Sequence, residues 1–212
     1  MNRCPGCRLH PGLCACALIP KLVTRARLVL IIHRTELRKT TNTGRLATQC
    51  LVNSQLIVRG DDEPTGPIAF PPDVAPVLLF PADDAVPLDT LVPTLGGKPV
   101  VLVVPDGTWR QAAKTRNRVP GLRDIPCASL PAGGGPSLYR LRVASQADGL
   151  ATIEAVARAF GILEGPEIQA ALEHPFRVMV DRTLWARGVC NTEDVTGGVP
   201  EGALRHDPRG VS

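Results

Sequence analysis

The chain has 212 residues, 44% of them apolar and 21% charged, with a net charge of +4. A chain of this size can bury one core without disulfides, and no run approaches the roughly 20 consecutive apolar residues of a membrane span. Nor does the start, MNRCPGCRLH, hold the apolar stretch of a secretory leader, so a cytoplasmic protein with reduced cysteines and no membrane partner is expected.

The charge is laid out in blocks. Residues 1–60 carry ten Lys/Arg against Glu36 alone, and 61–97 carry seven acids and no Lys/Arg. Residues 98–145 carry eight Lys/Arg against two acids, and 146–212 six against ten. Two basic blocks around an acidic one suggest a localised positive face, the footprint of a polyanion binder or of an ordinary solvated surface.

The chain opens with Cys4, Cys7, Cys14 and Cys16 in the pattern C-x2-C-x6-C-x-C. Four thiolates this close in sequence can close a tetrahedral shell around a structural zinc ion, with Pro5, Gly6, Pro11 and Gly12 supplying the turns. An iron–sulfur cluster is the rival use of such a set. His10 is superfluous as a ligand and reads as a supporting or surface group, while Cys50, Cys127 and Cys190 read as small buried hydrophobes. Residues 1–20 are thus expected to form a zinc-binding module, followed by a main domain at 21–188. The tail at 189–212 is rich in Gly and Asp, lacks periodicity and is expected to be poorly ordered.

In the main domain ARLVLII (26–32) reads as a buried strand, followed by a polar loop and a helix over about 43–55. PVLLFP (76–81) and PVVLVVPD (99–106) are two more buried strands, and the second runs into a basic helix, TWRQAAKTRNRV. DDEPTGPIAFPPD reads as a long surface loop. SLYRLRV (137–143) is expected as a strand. Leu150, Ile153, Ala157 and Phe160 mark an amphipathic helix over 149–163, with Asp148 as its candidate N-cap. Apolar strands alternating with helices imply an α/β fold, a mostly parallel sheet covered by helices on both faces. Ligands of such sheets sit beyond the carboxyl ends of the strands, here just after Ile32, Phe80, Val104 and Val143.

Those segments hold the polar chemistry. After the first strand come His33, Glu36, Arg38, Asn42, Thr43, Gly44 and Arg45. Asn-Thr-Gly at a helix entrance offers backbone N–H groups, and the arginines add charge for a phosphate or carboxylate; an ordinary capped loop has the same look. Asp106, leaving a core strand beside Gly107, is a candidate general base, substrate ligand or N-cap. Thr108 and Trp109 follow, then Arg110, Lys114, Arg116 and Arg118. In a chain with 3% aromatic residues, Trp109 is either a stacking platform for a base or adenine, or a core side chain. Arg140 and Arg142 alternate onto one face. Glu154, at the flank of an apolar stripe, can meet an amino group or complement its own helix dipole.

Taken together, these strings resemble the DTW-domain family, which includes tRNA-uridine aminocarboxypropyltransferases and is akin to the knotted SPOUT methyltransferases. The resemblance rests on the cysteine pattern, TNTGRLA (41–47), LLFP (78–81), DGTW (106–109), SLYRLR (137–142) and TIEAVA (152–157), in order across residues 4–157. Arg34 stands where the family pattern has Pro, and Ala151 where it has Ser. The resemblance implies a knotted α/β sheet and S-adenosylmethionine as donor. The acceptor it implies is a tRNA uridine, whose N3 takes the aminocarboxypropyl group as methylthioadenosine leaves. It implies Asp106 as base or orienter, with Leu79, Phe80, Pro81, Thr108, Trp109 and Thr152 around the donor and Arg140 and Glu154 at its amino-acid end. It places Arg38, Asn42, Arg45, Arg110, Lys114, Arg116 and Arg118 on tRNA phosphates. Methyl transfer from the same donor and zinc-bearing RNA binding without catalysis are the alternatives. The sequence leaves open whether the protein acts alone or as a homodimer.

Overall fold

The computed structural model describes residues 3–60, 65–141 and 149–206. Its sheet has six strands: β1 (Arg27–His33), β2 (Ser54–Arg59), β3 (Ala75–Leu79), β4 (Val86–Pro87), β5 (Val100–Asp106) and β6 (Cys127–Ser129). Their order is β2-β1-β5-β3-β6-β4, and every pairing is parallel. Helices α1 (Arg34–Leu37), α2 (Gly44–Cys50), α3 (Leu88–Leu91), α4 (Trp109–Ala113), α5 (Thr115–Arg118), α6 (Thr152–Glu164) and α7 (Pro166–Ala186) complete it.

Successive strand residues point to opposite faces. Leu28, Leu30, Val77, Leu79, Leu102 and Val104 therefore pack on one side against α2, α6 and α7. Val29, Ile31, Leu78, Val101 and Val103 pack on the other, under Val119, Leu122 and Ile125. With both faces covered, no strand position is free to be polar, which is why the central strands are unbroken apolar runs. Gly165, at φ 110°, closes α6, and Pro166 opens α7; glycine tolerates that backbone and proline suits a first helical position. Phe160 and Phe176 are the largest fully buried side chains this helix pair contributes, and Trp185 of α7 joins the same core at 7% exposure. No helix among the described residues is long and apolar enough to cross a membrane.

Several expectations change. The helix expected over 43–55 stops at Cys50, because the chain turns and adds the parallel strand β2 beside β1. The basic helix after β5 is two short helices, α4 and α5. Residues 137–141 form loop and turn rather than a strand; Arg142 and Val143 lie outside the described residues, as do Asp148 and 61–64. The sheet takes β6 in place of that strand. The tail is irregular yet packed up to residue 206. Val195 is buried, Arg182 of α7 donates to the carbonyls of Gly197 and Gly198 at 3.1 and 2.9 Å, and Thr196 Oγ1 donates to Asp181 at 2.6 Å. Side-chain hydrogen bonds from α7 replace the missing periodicity.

Candidate active site and metal centre

From β1 the chain steps outward to β2, while β5 and β3 lie on the other side, so the sheet's direction of growth switches between β1 and β5. Such a switch leaves a crevice at the carboxyl edge. Asp106, the last residue of β5 and in register with Ile32 of β1, stands there only 8% exposed. Asn42 Nδ2 donates to its Oδ2 at 2.6 Å and Thr152 Oγ1 to its Oδ1 at 2.7 Å. Both oxygens accept, as a carboxylate's do. Asn42 Oδ1 accepts from Arg45 N at 3.1 Å, capping the start of α2. Gly44 is required here by close approach, since a Cβ would lie 2.6 Å from Asp106 Oδ2 and 3.0 Å from Leu30 Cδ2.

Two clefts meet beside this carboxylate, sharing Gly107, Trp109, Gly149, Leu150 and Thr152. The apolar one, about 290 Å3, is walled by Leu79, Phe80, Pro81, Ala128 and Leu130. The polar one, about 690 Å3, is walled by Asn42, Asp106, Thr108, Arg110, Ser137, Tyr139 and Arg140. Trp109 is 40% exposed and meets Phe80 edge-on, ring centroids 5.4 Å apart. Thr108 caps α4 in a reciprocal pair with Gln111: Thr108 N donates to Gln111 Oε1 at 2.8 Å, and Gln111 N donates back to Thr108 Oγ1 at 3.4 Å. Glu154 accepts from Ser137 Oγ at 2.5 Å, Leu138 N at 2.7 Å and Ala151 N at 2.8 Å. That carboxylate supplies the N3 half of a capping box by accepting from the N–H of the N-cap residue Ala151, and it clasps the 137–138 loop to α6. Tyr139 Oη donates to the Thr41 carbonyl at 2.6 Å, and Arg140 pairs with Asp181 of α7 at 3.0 Å.

The sulfurs of Cys4, Cys7, Cys14 and Cys16 all lie within 4.8 Å of one another. Pairwise they are 3.5 Å (Cys4–Cys16), 3.6 Å (Cys4–Cys14) and 3.9 Å (Cys7–Cys14) apart. A tetrahedral shell with metal–sulfur bonds of about 2.3 Å puts its sulfurs about 3.8 Å apart, so this set fits a single ion. Gly6 is needed, because a Cβ would lie 2.7 Å from Cys16 Sγ. Arg182, buried in α7, donates to the carbonyls of Leu13 and Cys14 and so fastens the loop to the core. Burial pushes the Cys16 thiol up to about 12, with the Cys4 and Cys14 thiols adding to the rise. Burial also opposes ionisation at Cys4, but the N–H groups of Cys7 and Gly6 and the thiols of Cys16 and Cys14 outweigh it and bring Cys4 down to about 6.

Across residues 1–184 the chain matches the model of the DTW domain. The chain belongs to the DTW-domain family. A relative, tRNA-uridine aminocarboxypropyltransferase 2 of Drosophila melanogaster, is 27% identical over 189 residues, covering 84% of this chain and 73% of the relative. No solved structure matches.

Within this DTW domain the predicted donor-side residues Leu79, Phe80, Pro81, Trp109 and Thr152 line one cleft, while Thr108 and Arg140 line the other. Glu154 lines neither and instead holds Ser137 and Ala151 of the polar cleft's wall. Asn42, expected on RNA, holds Asp106. Arg116, half-buried, pairs with Asp84 at 2.6 Å, and the pairing raises its pKa. Arg38, Arg110, Lys114 and Arg118 are exposed cations. Arg45 is half-buried, and burial together with Arg8 nearby lowers its pKa. Sequence reasoning missed α7, Arg182 and Tyr139. The run FRVMV (176–180) was an available sign of a buried helix; nothing local signals that Tyr139 reaches Thr41.

Proposed function

We propose that this DTW-domain protein transfers the 3-amino-3-carboxypropyl group of S-adenosylmethionine to N3 of a uridine in tRNA. The name of its Drosophila relative, an aminocarboxypropyltransferase acting on tRNA uridine, supports this reading. The observation that carries it is the Asp106 carboxylate, held by Asn42 and Thr152 where an apolar and a polar cleft meet. The sulfonium donor supplies an activated Cγ: the N3–Cγ bond forms as Cγ–S breaks, and methylthioadenosine and the N3 proton leave.

Asp106 takes that proton or orients the uridine through it. Leu79, Phe80, Pro81 and Trp109 hold the donor and exclude water, and the exposed indole offers a stacking face. Arg140 at the rim of the polar cleft addresses the donor's carboxylate. Glu154 shapes the wall around the donor's amino-acid end by clasping Ser137, Leu138 and Ala151. Arg38, Arg45, Arg110, Lys114 and Arg118 face the phosphates, and Arg116 contributes less because Asp84 neutralises it. For the cysteine loop we propose structural zinc. The sulfurs are spaced for one ion, whereas an iron–sulfur cube would hold its thiolates farther apart, and a reducing cytoplasm would keep them available. Kinship with the knotted SPOUT enzymes is part of the same proposal.

The deciding experiment incubates purified protein with S-adenosylmethionine and unmodified tRNA and weighs the digested nucleosides by mass spectrometry. A uridine heavier by one aminocarboxypropyl unit is expected. A methyl increment would move the assignment to methyl transfer, and no increment would leave a binding protein.

A further inference from the structure

The loop before α2 faces two cavities. Asn42 and Thr43 line the cleft of Asp106, while Thr40 and Thr41 line a separate cavity of about 280 Å3 between the cysteine loop and the end of α7. Arg3, His10, Thr183 and Arg187 also line it, and among the described residues no carboxylate does. The rest of its wall is leucine and methionine, a low-dielectric lining that strengthens the field of the guanidinium groups.

Arg187 Nε is shut off from solvent and has no hydrogen-bond partner among the described residues. Buried polar groups in native proteins almost always have partners. A guanidinium nitrogen without a partner, beside a cationic cavity that no described carboxylate lines, marks a place where a ligand supplies the acceptor.

We propose that this cavity is an anion site that takes one backbone phosphate of the RNA acceptor, with Arg187 as its principal ligand. The proposal rests on the reading of the chain as a tRNA-modifying protein. A guanidinium presents donors in a planar fork that matches phosphate oxygens, and threonine hydroxyls complete such a shell. Consecutive residues of one loop line the cavity and the Asp106 cleft, so a phosphate held at Thr40 and Thr41 and a uridine at Asp106 belong to one short RNA segment. Filling the cavity would brace the Thr41–Tyr139 and Asn42–Asp106 hydrogen bonds from behind.

The test uses the full chain as wild type, Arg187→Gln and Arg187→Lys, with unmodified tRNA binding followed by fluorescence anisotropy across a range of KCl. Arg187→Gln is expected to bind about tenfold more weakly at low salt, with the slope of log K against log salt reduced by about 0.7–0.9, one phosphate contact. Arg187→Lys should keep the slope and bind more weakly than wild type. Calorimetry with S-adenosylmethionine should give the same donor affinity for all three, which separates a lost contact from a lost fold. Equal tRNA affinity and slope in wild type and Arg187→Gln overturns the proposal. A thermal shift with inorganic phosphate, present in wild type and absent in Arg187→Gln while tRNA binding is unchanged, also overturns it in favour of a free-anion site. If wild type binds tRNA in an Arg187-dependent way but transfers nothing, the reaction proposed above fails and the phosphate site stands. Absence of any tRNA binding sinks both.

Discussion

At the scale of single residues the site is built by subtraction and by donors. Gly44 removes the Cβ that would collide with Asp106, and Asn42 and Thr152 aim one donor at each carboxylate oxygen. Asp106→Asn is expected to lower aminocarboxypropyl transfer roughly 100- to 10,000-fold, the range for removing a positioned acid–base group, with the melting temperature little changed. Thr152→Val keeps the side chain's volume and leaves Asp106 Oδ1 without this donor, so kcat/KM should fall about tenfold, measured by single-turnover transfer. Gly44→Ala forces the overlap with Asp106 and Leu30, and should cost about 1–3 kcal/mol in a denaturant titration along with most of the activity. Asp106 was legible in the sequence because it breaks an apolar run at a strand's carboxyl end. The assignment of Asn42 to it was not, because 64 residues separate the two.

At the scale of elements, α7 is the structural hub. Asp181 ties Arg140 and Thr196 to it, and Arg182 ties the cysteine loop and the tail. Arg182→Met removes hydrogen bonds from a buried cation to several carbonyls and should destabilise the protein by roughly 2–3 kcal/mol, with faster metal loss to a chelator. With zinc bound as proposed, the cysteine loop should be acid-labile. A ligand must be a thiolate to bind, and Cys16 holds its proton to about 12 in the free loop. Metal uptake therefore releases protons, and affinity falls as pH falls, a sign that competition with a chromophoric chelator at neutral and mildly acidic pH would check. The cysteine spacing announced this loop from the sequence, since ligands so close together need only local turns. Up to residue 206 the tail departs from the expected poor order, because its packing comes from Arg182 and Asp181, which stand outside it.

At the scale of the whole molecule, Arg110 lines the polar cleft, Lys114 and Arg118 follow it as exposed cations along the short helices after β5, and Arg45 lies near Arg8 of the cysteine loop. Arg110→Glu combined with Lys114→Glu should weaken tRNA binding at least tenfold at about 0.1 M salt and leave donor affinity unchanged, read by anisotropy and calorimetry. The parallel α/β architecture was readable because burial on both faces forces long apolar strands, and this constraint shows in any window of the sequence. The sequence by itself likewise determined the four-cysteine loop and the aspartate at the end of β5, each written in a few neighbouring residues. Only the tertiary structure decided the strand order, the loop and turn at 137–141 where a strand is expected, the exposure of Trp109 and the partners of Asp106. Those depend on which distant segments share the packed layers, and contacts between residues far apart in the chain leave no local pattern to read.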